Sequence, residues 1–180
     1  MQNKSLQAYS KEELIELIEL YAKNWLAMDG VWFQSVEQKF GMDEAMEHDA
    51  NAWRRFTVTE ARRIKKFLRL EERAGIEGLR QALRLRFYAN INDDEILIDG
   101  NTLTYRTLHC RVQDARTGKG MELHPCREVG LIEYSGFAKV IDDRFTCEAV
   151  SCHPVVTDPD CACCWRFTLH TEEGGTPDVL

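Results

Sequence analysis

The sequence predicts an α+β fold, an N-terminal helical half followed by a small antiparallel sheet with one packed helix. Three observations carry this. Apolar residues recur at three- and four-residue spacing up to about residue 89. Asp99-Gly100-Asn101 then separates two short alternating segments, as a hairpin turn does. After one more helical stretch, two further alternating segments end the chain. At 180 residues, with 44% hydrophobic and 29% charged residues, the chain suits a single domain, 1–180. Its helical part is expected at 10–89, its cysteine-rich sheet part at 90–171 and a frayed tail at 172–180.

The elements follow in order. Leu14, Leu17, Ile18, Tyr21 and Trp25 predict an amphipathic helix over 11–26, with Asp29-Gly30 as a break or bend. Phe33, Val36 and Phe40 predict a second helix, capped at Gly41. Asp43 can cap the next, which runs to about Arg55. Thr57-Val-Thr-Glu60 has the form of a capping box opening a fourth helix. Gly75 and Gly78 punctuate before a helix through Leu79, Leu83 and Phe87. Strands are expected at 95–98, 103–112, 145–152 and 161–169, and a helix at 126–141 with Pro125 at its entry.

All seven cysteines lie between Cys110 and Cys164, and four of the five histidines lie in or beside that window. The total is odd and no export signal is present, so a secreted disulfide framework is not expected. Packing, metal binding and thiol chemistry remain. Cys110 shares an inward strand face with Leu108 and Val112, Cys126 begins a helix, Cys152 ends a strand, and Cys163 shares a strand face with Trp165, Phe167 and Leu169. These four are the candidate metal ligands, with His124, His153, Cys161 and Cys164 as substitutes. Thiolates suit zinc, or else iron. Only one CxxC occurs, at Cys161–Cys164, so a metal would draw its ligands from separate elements. Cys147 and Cys161 read as packing. Cys126 has a second candidate role. A helix N-terminus stabilises its thiolate, and His124 stands two residues before it, as a Cys–His nucleophile requires. No third, orienting group is identifiable.

The stretch from Cys152-His-Pro to Asp160-Cys-Ala-Cys-Cys-Trp-Arg-Phe167, with His109-Cys110 and Pro125-Cys126 before it, resembles an uncharacterised bacterial and archaeal cytosolic protein family. That family is similar to the aminothiazoline-carboxylate hydrolase-like proteins, and more distantly to the 4-vinyl reductase small-molecule-binding domain. Trp25-Leu-Ala-Met-Asp29-Gly-Val-Trp32-Phe and Glu60-Ala-Arg-Arg-Ile-Lys65 resemble its helical half. The resemblance implies an α+β domain with a ligand pocket, cysteines that can hold a metal, and opening of a thiazoline ring by water. Those domains tend to carry Gly-Asp before the final cysteine, where this chain has Asp158-Pro-Asp160.

Residues 54–86 hold 11 of the 23 basic residues and are about +7, against about −14 for the rest. A solvated or internally paired helix face explains this better than a nucleic-acid surface, since few aromatics interleave. Trp25, Trp32, Phe33, Phe40, Trp53 and Phe56 read mostly as core, and they could equally bury against a second subunit. Trp32, beside Gly30, and Arg166 are candidate ligand contacts.

The expectation is a cytoplasmic small-molecule-binding domain with a cysteine-held metal, zinc foremost. The alternative is a hydrolase acting on a small cyclic C–N or C–S substrate, through metal-activated water or Cys126. A small-molecule ligand is the expected partner. No membrane partner is expected, and a homo-oligomer stays open.

Overall fold

The computed structural model describes residues 4–171. Five α-helices are present: α1 (Lys11–Phe40), α2 (Met42–Leu68), α3 (Gly75–Leu83), α4 (Arg111–Gly118) and α5 (Arg127–Ile141). Four strands accompany them: β1 (Asp93–Asp99), β2 (Thr102–His109), β3 (Phe145–Cys152) and β4 (Cys163–Leu169). The expected α+β class is what the chain adopts, and the sheet is antiparallel throughout in the order β1-β2-β4-β3. The tail expected at 172–180 lies outside the described residues.

The helical half is simpler than its punctuation suggests. Asp29-Gly30 does not break α1, which runs unbroken from a capping box. Ser10 Oγ accepts the Glu13 N–H at 3.2 Å, and Glu13 accepts the Ser10 N–H at 2.7 Å. Gly41 ends α1 as expected, at φ +93°, a backbone that L side chains rarely adopt. It also occupies the cap position of α2, so Asp43 falls inside that helix's first turn and does not cap it. The Thr57–Glu60 pattern starts no helix, because both side chains have tertiary partners. Thr57 donates to the Glu133 carbonyl at 2.7 Å, and Glu60 accepts from Arg86 at 2.9 Å.

The layers stack in order: sheet, α5, α2, α1. Leu103, Tyr105 and Thr107 of β2, with Trp165 and Phe167 of β4, form the sheet's buried face. The Tyr134 ring of α5 stacks on Trp165 at 4.7 Å. A Cβ at Gly130 would stand 2.6 Å from the Trp165 indole, so only glycine lets α5 approach that closely. On the far side of α5, a Cβ at Gly136 would stand 2.8 Å from Thr57 of α2. Arg86 is wholly buried between Glu60 and Glu133, tying α2 to α5.

The hairpin forms at Gly100, with φ +53°. The strand expected to reach Val112 stops at His109, and Arg111 opens α4, a short helix with no apolar stripe to announce it. Strand parity therefore does not extend to Cys110. The inward residues are Leu103, Tyr105 and Thr107, not Leu108, and Cys110 is instead the residue before α4.

The basic segment is paired internally at several points. Lys65 Nζ donates to the carbonyls of Glu72, Val140 and Ile141, Arg73 pairs with Asp143, and Arg80 with Glu77. Among the described residues no helix is long and apolar enough to cross a membrane.

Candidate functional site

A cavity of about 400 Å³ opens where α1 and α2 meet the end of the sheet and the entry to α5. Its wall includes Cys110, Cys126, Cys152 and Cys163, the four singled out from sequence. Cys147, Cys161 and Cys164 are not in that wall. Burial holds the Cys147 thiol up at about 12 and Cys161 at about 11, as packed thiols require.

Sheet register explains two of the four. Cys163 lies opposite Thr107 on one side and Cys152 on the other, a row across three strands. A bulge between Ala149 and Ser151 shifts the β3 register there. Both Ser151 and Cys152 are consequently buried. The Trp165 indole N–H donates to Cys163 Sγ at 3.2 Å.

Cys126 stands at the N-terminus of α5, and its carbonyl accepts the first helical bond from Gly130 at 2.7 Å. Its Sγ is 3.6 Å from Cys152 Sγ. Gln113 of α4 clamps the segment. Its amide accepts from the His124 N–H at 2.9 Å, donates to the His124 carbonyl at 2.9 Å, and reaches Cys126 Sγ at 3.5 Å. Arg116 holds α4 against α1 through two bonds to Glu37, at 2.8 and 2.7 Å.

His124 is 7% exposed, with Nε2 3.4 Å from Asp49 Oδ2 of α2. Its Nδ1 is buried without a hydrogen-bond partner, as is Thr107 Oγ1 on the same cavity wall. Asp49 stands where a group orienting the His124 imidazole would stand, and the sequence alone does not reveal it. It lies on another helix, in a run of helical polar residues, and nothing local marks it.

The electrostatics favour a thiolate beside an imidazolium. The hydrogen bond from Cys152 pulls the Cys126 thiol down most. Burial opposes it, His124 reinforces it, and the thiol is held well below its usual range. Burial works against charge on His124, but Asp49 and Cys126 outweigh it and hold the imidazole up at about 9. The Cys152 thiol is pushed the other way, chiefly by its contact with Cys126, and stays protonated. Burial raises Cys110 to about 12. Asp29, also in the wall, is raised to about 6 by burial and by Asp49.

Three other expected site residues are placed elsewhere. Trp32 is 66% exposed and outside the cavity wall. A continuous α1 turns it away while presenting Asp29 and Phe33 inward. Arg166 is on the outer face of β4, where its guanidinium pairs with Glu148 at 2.6 Å. His153 is in the loop after β3, and its carbonyl accepts the Arg127 N–H. Among the described residues, no group of three or more His, Cys, Asp or Glu stands arranged to hold a metal ion.

No curated protein and no solved structure matches the chain. A family model described as a family of unknown function, DUF6125, matches residues 7–169. That span takes in the helical half and the cysteine-bearing sheet alike, so the chain belongs to the DUF6125 family.

Proposed function

We propose that the chain is a small-molecule hydrolase whose nucleophile is Cys126, with the cavity as its substrate site. The observation that carries this is Cys126 at a helix N-terminus, its thiol lowered by His124, with Asp49 3.4 Å from the His124 imidazole. A thiolate near neutral pH is the active form of a cysteine nucleophile, and it needs a nearby base and a group orienting that base. His124 is that base and Asp49 orients it.

The substrate class is a small compound with an electrophilic C–N or C–S carbon. The Cys126 thiolate attacks that carbon and forms a C–S bond. The substrate's own C–N or C–S bond breaks, and the leaving atom takes a proton from the His124 imidazolium. Water, deprotonated by His124, then attacks the thioester-like carbon and releases Cys126. The Gln113 amide is the donor beside Cys126 that can stabilise the oxygen or nitrogen gaining charge. The resemblance to aminothiazoline-carboxylate hydrolase-like proteins points to the same class.

The test is chemical. Iodoacetamide at pH 6 should alkylate Cys126 ahead of the other six cysteines, and p-nitrophenyl acetate should acetylate it and then turn over. Uniform labelling of the seven, or labelling that spares Cys126, would sink the reading.

A second reading, zinc held by Cys110, Cys126, Cys152 and Cys163, rests on all four lining one cavity. With a zinc–sulfur distance of ~2.3 Å, the sulfurs of a tetrahedral site are about 3.8 Å apart. Cys126 and Cys152 stand at 3.6 Å. Zinc would need the other two thiols to close onto this pair. About one zinc or iron per chain in protein purified under reducing conditions supports this reading, and its absence there excludes it.

A further inference from the structure

The longest helix is half unused. Beside the face α1 turns to α2 and the cavity, and touching α2 through Trp25, runs an apolar stripe made of Leu14, Ile18, Tyr21, Trp25, Met28 and Trp32. The spacing alternates four and three, the heptad repeat of a helix–helix seam. In a monomer five of these six are left largely in water, Leu14 being half-buried: Ile18 is 55% exposed, Tyr21 62%, Trp25 50%, Met28 65% and Trp32 66%. None of the six lines the cavity.

We infer that the stripe is the interface of a homodimer in which α1 pairs antiparallel with α1 of a second copy. Three observations select a second copy. The first is symmetry. The stripe is palindromic about Lys23, so an antiparallel partner sets Tyr21 against Trp25, Ile18 against Met28 and Leu14 against Trp32. Each pair joins an a position to a d position, as antiparallel packing requires, and a twofold axis makes both halves identical. A parallel pair would instead stack Trp25 on Trp25 and Trp32 on Trp32.

The second is area. With aromatic side chains offering ~150–250 Å² each, the stripe exposes roughly 600 Å² of apolar surface. That is the upper end of what a typical monomer shows, and close to the ~800 Å² per partner of a standard interface. The polar residues flanking the stripe, Asn24 among them, supply the remainder. The third is preorganisation. Trp25 is stacked on Phe56 at 5.5 Å and set edge-on to Phe87 at 6.2 Å, so its exposed half is held in place before any partner arrives.

The full-length chain tests this by light scattering across a micromolar dilution series. The expected mass is twice the 20.8 kDa of the chain. Met28→Glu combined with Trp32→Glu should give a monomer with unchanged helical circular dichroism. Asn24→Cys places a thiol beside the twofold midpoint, so on oxidation the two copies should become joined by a disulfide at that position. A wild-type monomer throughout the series overturns the inference. So does a dimer that survives the double substitution and never forms that disulfide.

Discussion

His124 Nε2 lies 3.4 Å from Asp49 Oδ2, and this contact joins α2 to the loop that delivers Cys126 to α5. The imidazole is thereby held between a carboxylate and a thiol. Rate should therefore depend on pH in both directions. Activity rises as Cys126, held well below its usual range, loses its proton, and falls as His124 loses its own at about 9. Asp49→Asn removes the group that raises the imidazole, so the descending limb should move to lower pH. His124→Ala should cost roughly 10²–10⁴-fold in rate. A pH–rate profile with p-nitrophenyl acetate measures both.

The same contact should register in stability. His124 is raised in the folded chain above its ordinary 6.5. Its protonation therefore stabilises the fold fully below about pH 6.5, and that contribution is lost as pH rises through about 9. The depressed Cys126 thiol contributes with the opposite sign over the same window, so the decline in urea midpoint should be read in Cys126→Ser, and it should shrink when Asp49→Asn is added.

Arg86 holds the buried carboxylates of Glu60 and Glu133 together. Replacing it with leucine leaves two uncompensated acids in the core. The expected loss is about 3–5 kcal/mol, read from urea unfolding at neutral pH. Arg86→Leu with Glu60→Gln and Glu133→Gln should recover part of that loss, because the charges go with their partner.

One glycine of α1 and one of α5 should respond oppositely. Gly130→Ala drives a methyl into the Trp165 indole and should cost about 1–3 kcal/mol. Gly30 has nothing within 4 Å of a Cβ and sits inside a helix. Gly30→Ala should therefore stabilise by about 0.5–1 kcal/mol. Thermal denaturation of the two variants separates them.

What the residues declare locally, they declare well. The hairpin at Gly100, the end of α1 at Gly41, the span of β3 and the helix after Pro125 all stand where the pattern puts them. The four cysteines stand out in sequence because strand ends and a helix start can converge, and they do border one cavity. The departures share a cause. Gly30 has the local character of a break and Thr57–Glu60 that of a start, but in both places tertiary packing overrides a local preference of about 1 kcal/mol. Alternation likewise predicts a strand face for Cys110, and the strand ends one residue before it, at His109.

Local pattern suffices for the α+β class, the order of most elements and the set of thiols that border the cavity. Alternation, turn chemistry and residue type act over a few neighbours, so they can be read from a few neighbours. Three relations instead emerge from the folded chain. Asp49 faces His124, a bulge in β3 turns Cys152 beside Cys163, and Trp32 faces solvent while Asp29 faces the cavity. Each depends on how helix rotation and strand register place residues far apart in the chain, and no local pattern encodes that.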